Sequence, residues 1–200
     1  MPVNGQHEQR RLLGASRQSD QQVVEPGASD SERPRYSSRP FPAYRYVPGV
    51  TLHPRRHPDG HSYGQPEAAF SAPTPDQWQT SDAYLYGVDL YNFAFWWECH
   101  EVFEGFWRPT RKTVQGRFFQ ALIQVAAANL KMCMGSPASA DRLSVAALER
   151  FQSLPQMYMG MDIRAFERQM RAYVDGSRKA PAVIRLLTSA GNLMPEATDS

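Results

Sequence analysis

Apolar residues recur at the three- and four-residue spacing of an α-helix through most of the chain after residue 80. Ser, Asp or Pro residues stand at the starts of several of these runs, and Gly or Pro residues follow them, as at helix ends. The pattern predicts five helices: from Ser81 or Asp82 to Asn92, over WWECHEVFEGFW and stopping before Pro109, over about 113–134 with Gly135 after it, from Ser136–Pro137 to Pro155, and from Asp162 to just before Gly176.

The fifth predicted helix is clearly amphipathic, because Ile163, Phe166, Met170 and Tyr173 share one face. The stretch APAVIRLL at 180–187 is expected to add a short turn or helix. The alternation typical of strands and any useful internal repeat are absent from the sequence. The chain is therefore predicted to be all-α, a compact bundle of about five helices preceded by a Pro/Tyr-rich arm and a disordered N-terminus.

Composition divides the chain near residue 80, because eleven of the sixteen prolines and four of the five histidines precede that point. Residues 1–39 are rich in polar residues and proline, which is typical of a disordered N-terminal tail. Residues 40–75 form a Pro/Tyr/His-rich stretch, and we expect an extended arm that packs on the domain. The rest is assigned to a helical domain at 76–190 and a C-terminal tail at 191–200.

Three histidines of this arm, His53, His57 and His61, recur every four residues. On a helix this spacing would align their side chains for metal binding. The intervening prolines and Gly60 exclude a regular helix, so the alignment argument fails. We expect an ordered loop with these histidines at its surface.

Charge and cysteine content limit the partners that the sequence predicts. A net charge of +2 is too small to demand a nucleic acid or an anionic membrane, even though arginines and tyrosines alternate in the arm. No apolar stretch approaches the roughly 18–20 residues of a membrane span, and the N-terminus lacks the apolar region of a secretory signal. Cys99 and Cys133 are expected to be reduced thiols. We predict a cytoplasmic protein, with a protein partner or a homo-oligomer left open.

The densest aromatic run, FAFWWECHEVFEGFWR at 93–108, places one imidazole and several carboxylates among seven Phe and Trp residues. At about 100° per residue, His100 falls at the centre of the aromatic face and Glu104 within it. Glu101 lies at the edge of this face, and Glu98 points away from it. Because a buried charge without partners is costly, we expect His100 and Glu104 to be buried together with hydrogen-bonding partners.

The third helix offers such partners along one polar stripe. Arg117, Gln120, Gln124 and Lys131 fall within about 60° of one another on an otherwise apolar helix. Arg108 lies one turn after Glu104 and is a candidate for an ion pair with it. The prediction is a polar core cluster made of His100, Glu101, Glu104, Gln120 and Gln124, with Arg108 and Arg117 near its rim.

These residues resemble a known family, the domain of unknown function 309 family. The likeness covers roughly residues 80–155 and implies a small all-helical fold with no agreed biochemical activity. Members tend to have a glycine between the first two helices, where this chain has Ala94, which leaves the geometry of that turn open. The matching positions are Asn92, Trp96, Trp97, Glu98, His100, Glu101, Glu104, Trp107, Phe118, Gln120, Leu122, Ile123, Gln124 and Ala126–Ala128.

Three interpretations of the cluster compete. In the first, which we prefer, it is a paired polar network that fixes helix packing, and function lies on the surface or in protein interaction. In the second, His100, Glu101 and Glu104 bind a small polar molecule or a metal ion, although a third strong zinc ligand is missing. In the third, Glu101 or Glu104 is a general base paired with His100, and the site is hydrolytic. No cofactor is predicted, and a divalent metal at His100 and Glu104 is the alternative.

Overall fold

The computed structural model of the protein describes residues 33–66 and 71–197, and a bundle of five α-helices is the main structural unit of the described chain. The predicted all-α fold class is therefore confirmed. Residues 1–32, which make up most of the predicted disordered tail, lie outside the described residues. The same holds for residues 67–70 and 198–200. The helices are α1 (Asp82–Asn92), α2 (Trp96–Thr110), α3 (Val114–Cys133), α4 (Pro137–Gln152) and α5 (Ile163–Val174), and a 3-10 turn (Trp78–Thr80) precedes α1.

The helix ends follow the capping residues closely. The Ser81 side chain accepts a hydrogen bond from the Tyr84 backbone N–H, and Asp162 accepts one from the Ala165 N–H at 2.9 Å. One predicted end is wrong, because α2 continues through Pro109 instead of stopping before it. A proline this close to the end removes a single backbone hydrogen bond, and the Thr110 hydroxyl donates to the Phe106 carbonyl at 2.7 Å.

The core lies where α3 packs between α2 and α4, and aromatic side chains fill it. Trp96, Phe103 and Phe119 are buried. Trp107, which lies in the aromatic run, is only half-buried, as are Ile123 and Leu130 of α3. For Trp107 the reason is that α2 is rotated about its axis relative to the predicted wheel, so that its buried stripe runs through Trp96, Cys99, Phe103 and Phe106. On the wheel this stripe is centred roughly a quarter turn away from His100.

A short hairpin, which the sequence analysis did not anticipate, joins α4 to α5. Its strands are β1 (Met157–Tyr158) and β2 (Met161–Asp162), paired antiparallel. The two residues between them, Met159 and Gly160, have φ angles of 46° and 78°. Two successive positive φ values are typical of a type I′ turn, which suits a two-residue hairpin.

The stretch 180–187 is extended, so the predicted short turn or helix is wrong. Burial alternates along it, with Ala182, Ile184 and Leu186 inside. Leu186 forms a β-bridge with Met161, and Leu187 forms one with Leu193. A period of two identifies a strand-like segment, which uses its backbone groups for pairing instead of for helix formation.

Residues 33–66, called here the N-terminal segment, lie along α1 and the start of α2. Tyr36 and Ser37 are buried, and their backbone N–H groups donate to the two carboxylate oxygens of Asp89 at 2.7 Å each. Phe41 stacks on Phe95 with the ring centroids 5.0 Å apart. The packed part of the chain thus begins before residue 40, where the sequence analysis placed the end of the tail, because the carboxylate of Asp89 holds this backbone.

No helix among the described residues is long and apolar enough to cross a membrane.

Candidate functional site

The predicted polar cluster lies at the surface of the bundle and not in its core. The side chains of His100, Glu101 and Glu104 are 33%, 35% and 29% exposed. The same rotation of α2 that leaves Trp107 half-buried carries His100 out of the core. The expected burial of the cluster is therefore wrong.

His100, Glu101 and Glu104 nevertheless converge. One ligand atom from each lies within 4.8 Å of the others, a group that could hold a metal ion. The His100 Nδ1 atom is 3.6 Å from Glu101 Oε1, and this contact with the imidazole holds the pKa of Glu101 below its usual range. Glu104 also pairs with Arg108 at 3.4 Å, one turn further along α2.

The glutamines of α3 do lie beside this group. They share one open depression of about 190 Å³, whose lining includes His100, Glu104, Trp107, Gln120 and Gln124. Three buried atoms here have no hydrogen-bond partner among the described residues: His100 Nδ1, Gln124 Oε1 and Trp107 Nε1. A structural network would pair such atoms, so these side chains are close together without satisfying one another. Arg117 is exposed and does not line this depression.

A larger cavity lies beside this depression, on the other side of the His100 group. We call it the groove: it has a volume of about 260 Å³ and lies between the N-terminal segment and the faces of α1 and α2. Apolar side chains such as Leu90 and Val102 share its lining with Glu98, Glu101 and Glu104 of α2. The opposite wall carries Arg55, His61, Ser62 and Gln65, and Arg108 completes the α2 side.

Glu98 and His61 form a buried pair in the wall of the groove. Their side chains are 6% and 9% exposed, and Glu98 Oε1 lies 3.1 Å from His61 Nε2. The Tyr46 backbone N–H donates to the same oxygen at 3.0 Å. Burial raises the pKa of Glu98, whereas the backbone N–H of Glu98 itself and the hydrogen bonds from His61 and Tyr46 oppose the rise. The second oxygen, Oε2, is buried and has no hydrogen-bond partner among the described residues.

His61 is held on its other side by a serine. The His61 Nδ1 atom lies 2.8 Å from the hydroxyl oxygen of Ser62, which lines the groove and is half-buried. The Tyr44 ring packs edge-on against the imidazole, with the centroids 4.7 Å apart. A carboxylate, an imidazole and a hydroxyl thus follow one another along the groove wall.

The histidines of the N-terminal segment do not converge on a metal site. His53 contacts Tyr46 and Trp97, and His57 accepts a hydrogen bond from the Asp59 N–H at 3.1 Å. Only His61 turns inward, toward Glu98. The sequence analysis missed this pair, because it expected Glu98 to point away from the bundle and His61 to lie at the surface. Counting Cys99 and Val102 as core residues would have moved Glu98 to the edge of the buried face.

The fold and the groove define a class: an all-α bundle with a polar-lined cavity between its helices and an extended N-terminal segment. Residues 84–143 match the model of a family described as domain of unknown function (DUF309). The resemblance inferred from the motif residues is thereby confirmed. The match contains Glu98 and the His100 group but not His61 or Ser62. No curated protein matches the chain.

Proposed function

We propose that this protein binds a small polar molecule in the groove. The observation that carries the proposal is Glu98 Oε2, a buried carboxylate oxygen in the groove wall that has no hydrogen-bond partner among the described residues. Leaving such an acceptor unsatisfied costs about 1–3 kcal/mol, and more for a charged group. A ligand that donates a hydrogen bond to this oxygen removes the cost, so binding and folding of the site reinforce each other.

The groove has the general character of a ligand site. Its volume of about 260 Å³ suits a small organic molecule. Its lining combines apolar surface, which can bury the carbon atoms of a ligand, with converging polar groups, which can fix its orientation. Three carboxylates and two guanidinium groups line it, so the ligand that fits best carries a hydrogen-bond donor or a positive group toward Glu98.

Ligand-observed NMR with a set of small amines, amides and alcohols tests this proposal. We expect saturation transfer from the protein to some of these probes, lost in Glu98→Gln because the carboxylate is replaced by a neutral amide. Glu149→Gln is the matched control, because Glu149 is exposed on α4 and does not line the groove. If no probe binds, or if the probes bind Glu98→Gln as well as the wild type, the proposal is wrong.

A second candidate function is the binding of a divalent cation by His100, Glu101 and Glu104. The convergence of one imidazole and two carboxylates within 4.8 Å favours it. Nitrogen and oxygen ligands of this kind suit Zn²⁺ or Mn²⁺ better than Ca²⁺ or Mg²⁺. Glu104 would have to release Arg108 to ligate the ion, which weakens the site.

Thermal unfolding with added Zn²⁺ or Mn²⁺ tests the cation site. We expect the ion to raise the melting temperature of the wild type, and His100→Ala to abolish this rise. His57→Ala serves as the control, since His57 is a half-exposed histidine outside the group. An equal rise in His100→Ala would assign the metal effect to another part of the chain.

A further inference from the structure

We propose that Ser62 is a nucleophile for acyl transfer, activated by His61 and oriented through Glu98, and that the substrate is a small ester bound in the groove. The inference rests on the proposed ligand-binding function of the groove and adds a reaction to it. Its geometric basis is the contact of one imidazole with a hydroxyl at 2.8 Å and with a buried carboxylate at 3.1 Å. A nucleophile and a base in contact, with the base held by a third group, are the structural signature of an activated serine.

In the proposed arrangement, with Glu98 ionised and His61 neutral, the imidazole proton lies on the nitrogen that faces Glu98. An ionised Glu98 can only accept, so the Nε2 atom of His61 is the N–H donor in the 3.1 Å contact. The Nδ1 atom then has a free lone pair, and the Ser62 hydroxyl donates to it at 2.8 Å. This is the tautomer that a general base needs, because the proton acceptor faces the nucleophile.

Glu98 is itself held in place. The Tyr46 backbone N–H donates to Oε1 at 3.0 Å, the same oxygen that accepts from His61. The Glu98 side chain is only 6% exposed, so the pair is largely shielded from bulk solvent. A buried carboxylate of this kind orients the imidazole and stabilises the imidazolium that forms when it takes a proton.

The proposed reaction is ester hydrolysis in two steps. In the first, the Ser62 oxygen bonds to the ester carbonyl carbon while the hydroxyl proton moves to His61 Nδ1. The ester C–O bond then breaks, and the alcohol leaves with that proton. In the second, water adds to the acyl carbon and gives a proton to Nδ1. The bond to Ser62 breaks, the serine recovers the proton, and the carboxylic acid is released.

The groove supplies the remaining requirements of this chemistry. Ser62 is half-buried and lines the cavity, so a bound molecule can reach its hydroxyl. Arg55 and Arg108 line the same cavity, and their positive charge would favour a developing oxyanion there. Leu90 and Val102 offer an apolar surface for a short acyl chain.

Labelling with a fluorophosphonate, which reacts with activated serines, tests the proposal on the full chain. We expect mass spectrometry to locate the adduct on Ser62, and p-nitrophenyl acetate hydrolysis to fall by at least about 100-fold in Ser62→Ala. Ser177→Ala is the matched control, because Ser177 is exposed and its hydroxyl contacts the carboxylate of Asp175 without a histidine. It should react like the wild type.

Two further variants separate an activated serine from an exposed one. In His61→Ala the labelling rate should lose the pH dependence that an imidazole base gives, and in Glu98→Gln labelling should slow by at least about tenfold. Thermal melts and circular dichroism confirm that each variant folds. Equal labelling of the wild type and His61→Ala would overturn the proposal, as would an adduct on another residue or none at all.

The outcomes for binding and for reaction are distinguishable. If the amine, amide and alcohol probes bind in a way that depends on Glu98 but no adduct forms on Ser62, the role of Ser62 as a nucleophile is wrong and the binding function stands. The absence of both Glu98-dependent binding and the adduct would overturn both.

Discussion

At the scale of single residues, one buried amide joins three parts of the chain. The Asn92 side-chain N–H groups donate to the Pro34 carbonyl at 3.2 Å and to the Ile184 carbonyl at 2.9 Å. The Asn92 carbonyl oxygen accepts from the Ile184 N–H at 2.9 Å. Asn92 was one of the residues that carried the family resemblance, and its contacts give it a structural role: it fastens the N-terminal segment and the extended C-terminal segment to α1.

We expect Asn92→Ala to lower the free energy of unfolding by about 2–4 kcal/mol, because it leaves buried backbone groups of Pro34 and Ile184 without partners. Asn92→Asp keeps the acceptor but loses both donors and adds a buried charge, so it should be no less damaging. Urea unfolding measures both losses. A change below about 0.5 kcal/mol for Asn92→Ala would mean that water replaces the amide and that the two segments are held elsewhere.

Ala94 explains why a glycine is favoured between the first two helices. Its φ angle is 64°, in the left-handed region, which costs an L-residue about 1–2 kcal/mol. Ala94→Gly relieves this strain but loses a buried methyl group and adds chain entropy in the unfolded state, so the net change should lie within about 1 kcal/mol. Ala94→Val should instead cost at least about 2 kcal/mol, because a β-branched residue is poorly tolerated at positive φ. Equal stabilities for the two variants, by urea unfolding, would contradict this account of the turn.

At the scale of elements, local sequence signals predicted the helices. They did not predict the rotation of α2 or the extended 180–187 segment, which depend on long-range packing. Caps such as Ser81 and Asp162 act within four residues, so the sequence shows them directly. The rotation of α2 depends on which face meets α3 and which meets the N-terminal segment, and a single helical wheel does not contain that information. Trp97 belongs to the aromatic run but not to the core, because its ring packs against Tyr46 of the N-terminal segment, with the ring centroids 5.2 Å apart. The 180–187 segment is extended because its backbone pairs with Met161 and with the Asn92 side chain. These partners are distant in sequence, so the local pattern does not reveal the pairing.

The rotation of α2 predicts a clear contrast between two aromatic truncations. Phe103 is fully buried, so Phe103→Ala should cost about 3–5 kcal/mol of unfolding free energy. Trp107 is half-buried at the edge of the surface depression, so Trp107→Ala should cost clearly less, about 1–2 kcal/mol, despite the larger side chain. Chemical denaturation of the two variants provides the comparison. An equal or larger loss for Trp107→Ala would mean that Trp107, and with it His100, lies in the core.

At the scale of the whole molecule, the segments that precede and follow the family-matched residues pack around the matched helices and bond to each other. The Tyr36 hydroxyl accepts from the Leu186 N–H at 2.9 Å, and the Ala197 N–H donates to the Arg35 carbonyl at 2.8 Å. The groove depends on this wrapping, because Glu98 comes from the matched part, residues 84–143, and His61 and Ser62 come from outside it. Whatever the groove binds, its site forms only when the N-terminal segment is docked on α1 and α2.

We expect Asp89 to make that docking sensitive to pH. Burial raises the pKa of Asp89 to about 7, against the usual 3.8, although the backbone N–H groups of Tyr36 and Ser37 oppose the rise. Between these two pH values the folded protein keeps a proton that the unfolded chain has lost. The contribution of Asp89 to the unfolding free energy is therefore greatest below about pH 4, falls as pH rises toward 7, and is constant above that, with a span on the order of a few kcal/mol. Glu98, whose pKa is also raised, adds to this slope. Glu101, whose pKa is lowered from 4.5, contributes with the opposite sign only at pH values below its usual pKa.

Comparison of Asp89→Asn with the wild type isolates this contribution. The variant should be less stable overall, since an amide cannot accept from both backbone N–H groups, but its unfolding free energy should decline less between pH 4 and 7. Asp59→Asn is the control, because Asp59 is exposed in the N-terminal segment and should leave the slope unchanged. Urea unfolding at a series of pH values gives the slopes. If Asp89→Asn and the wild type decline in parallel, Asp89 does not change its protonation on unfolding in this range, and the N-terminal segment is held by a carboxylate that stays ionised.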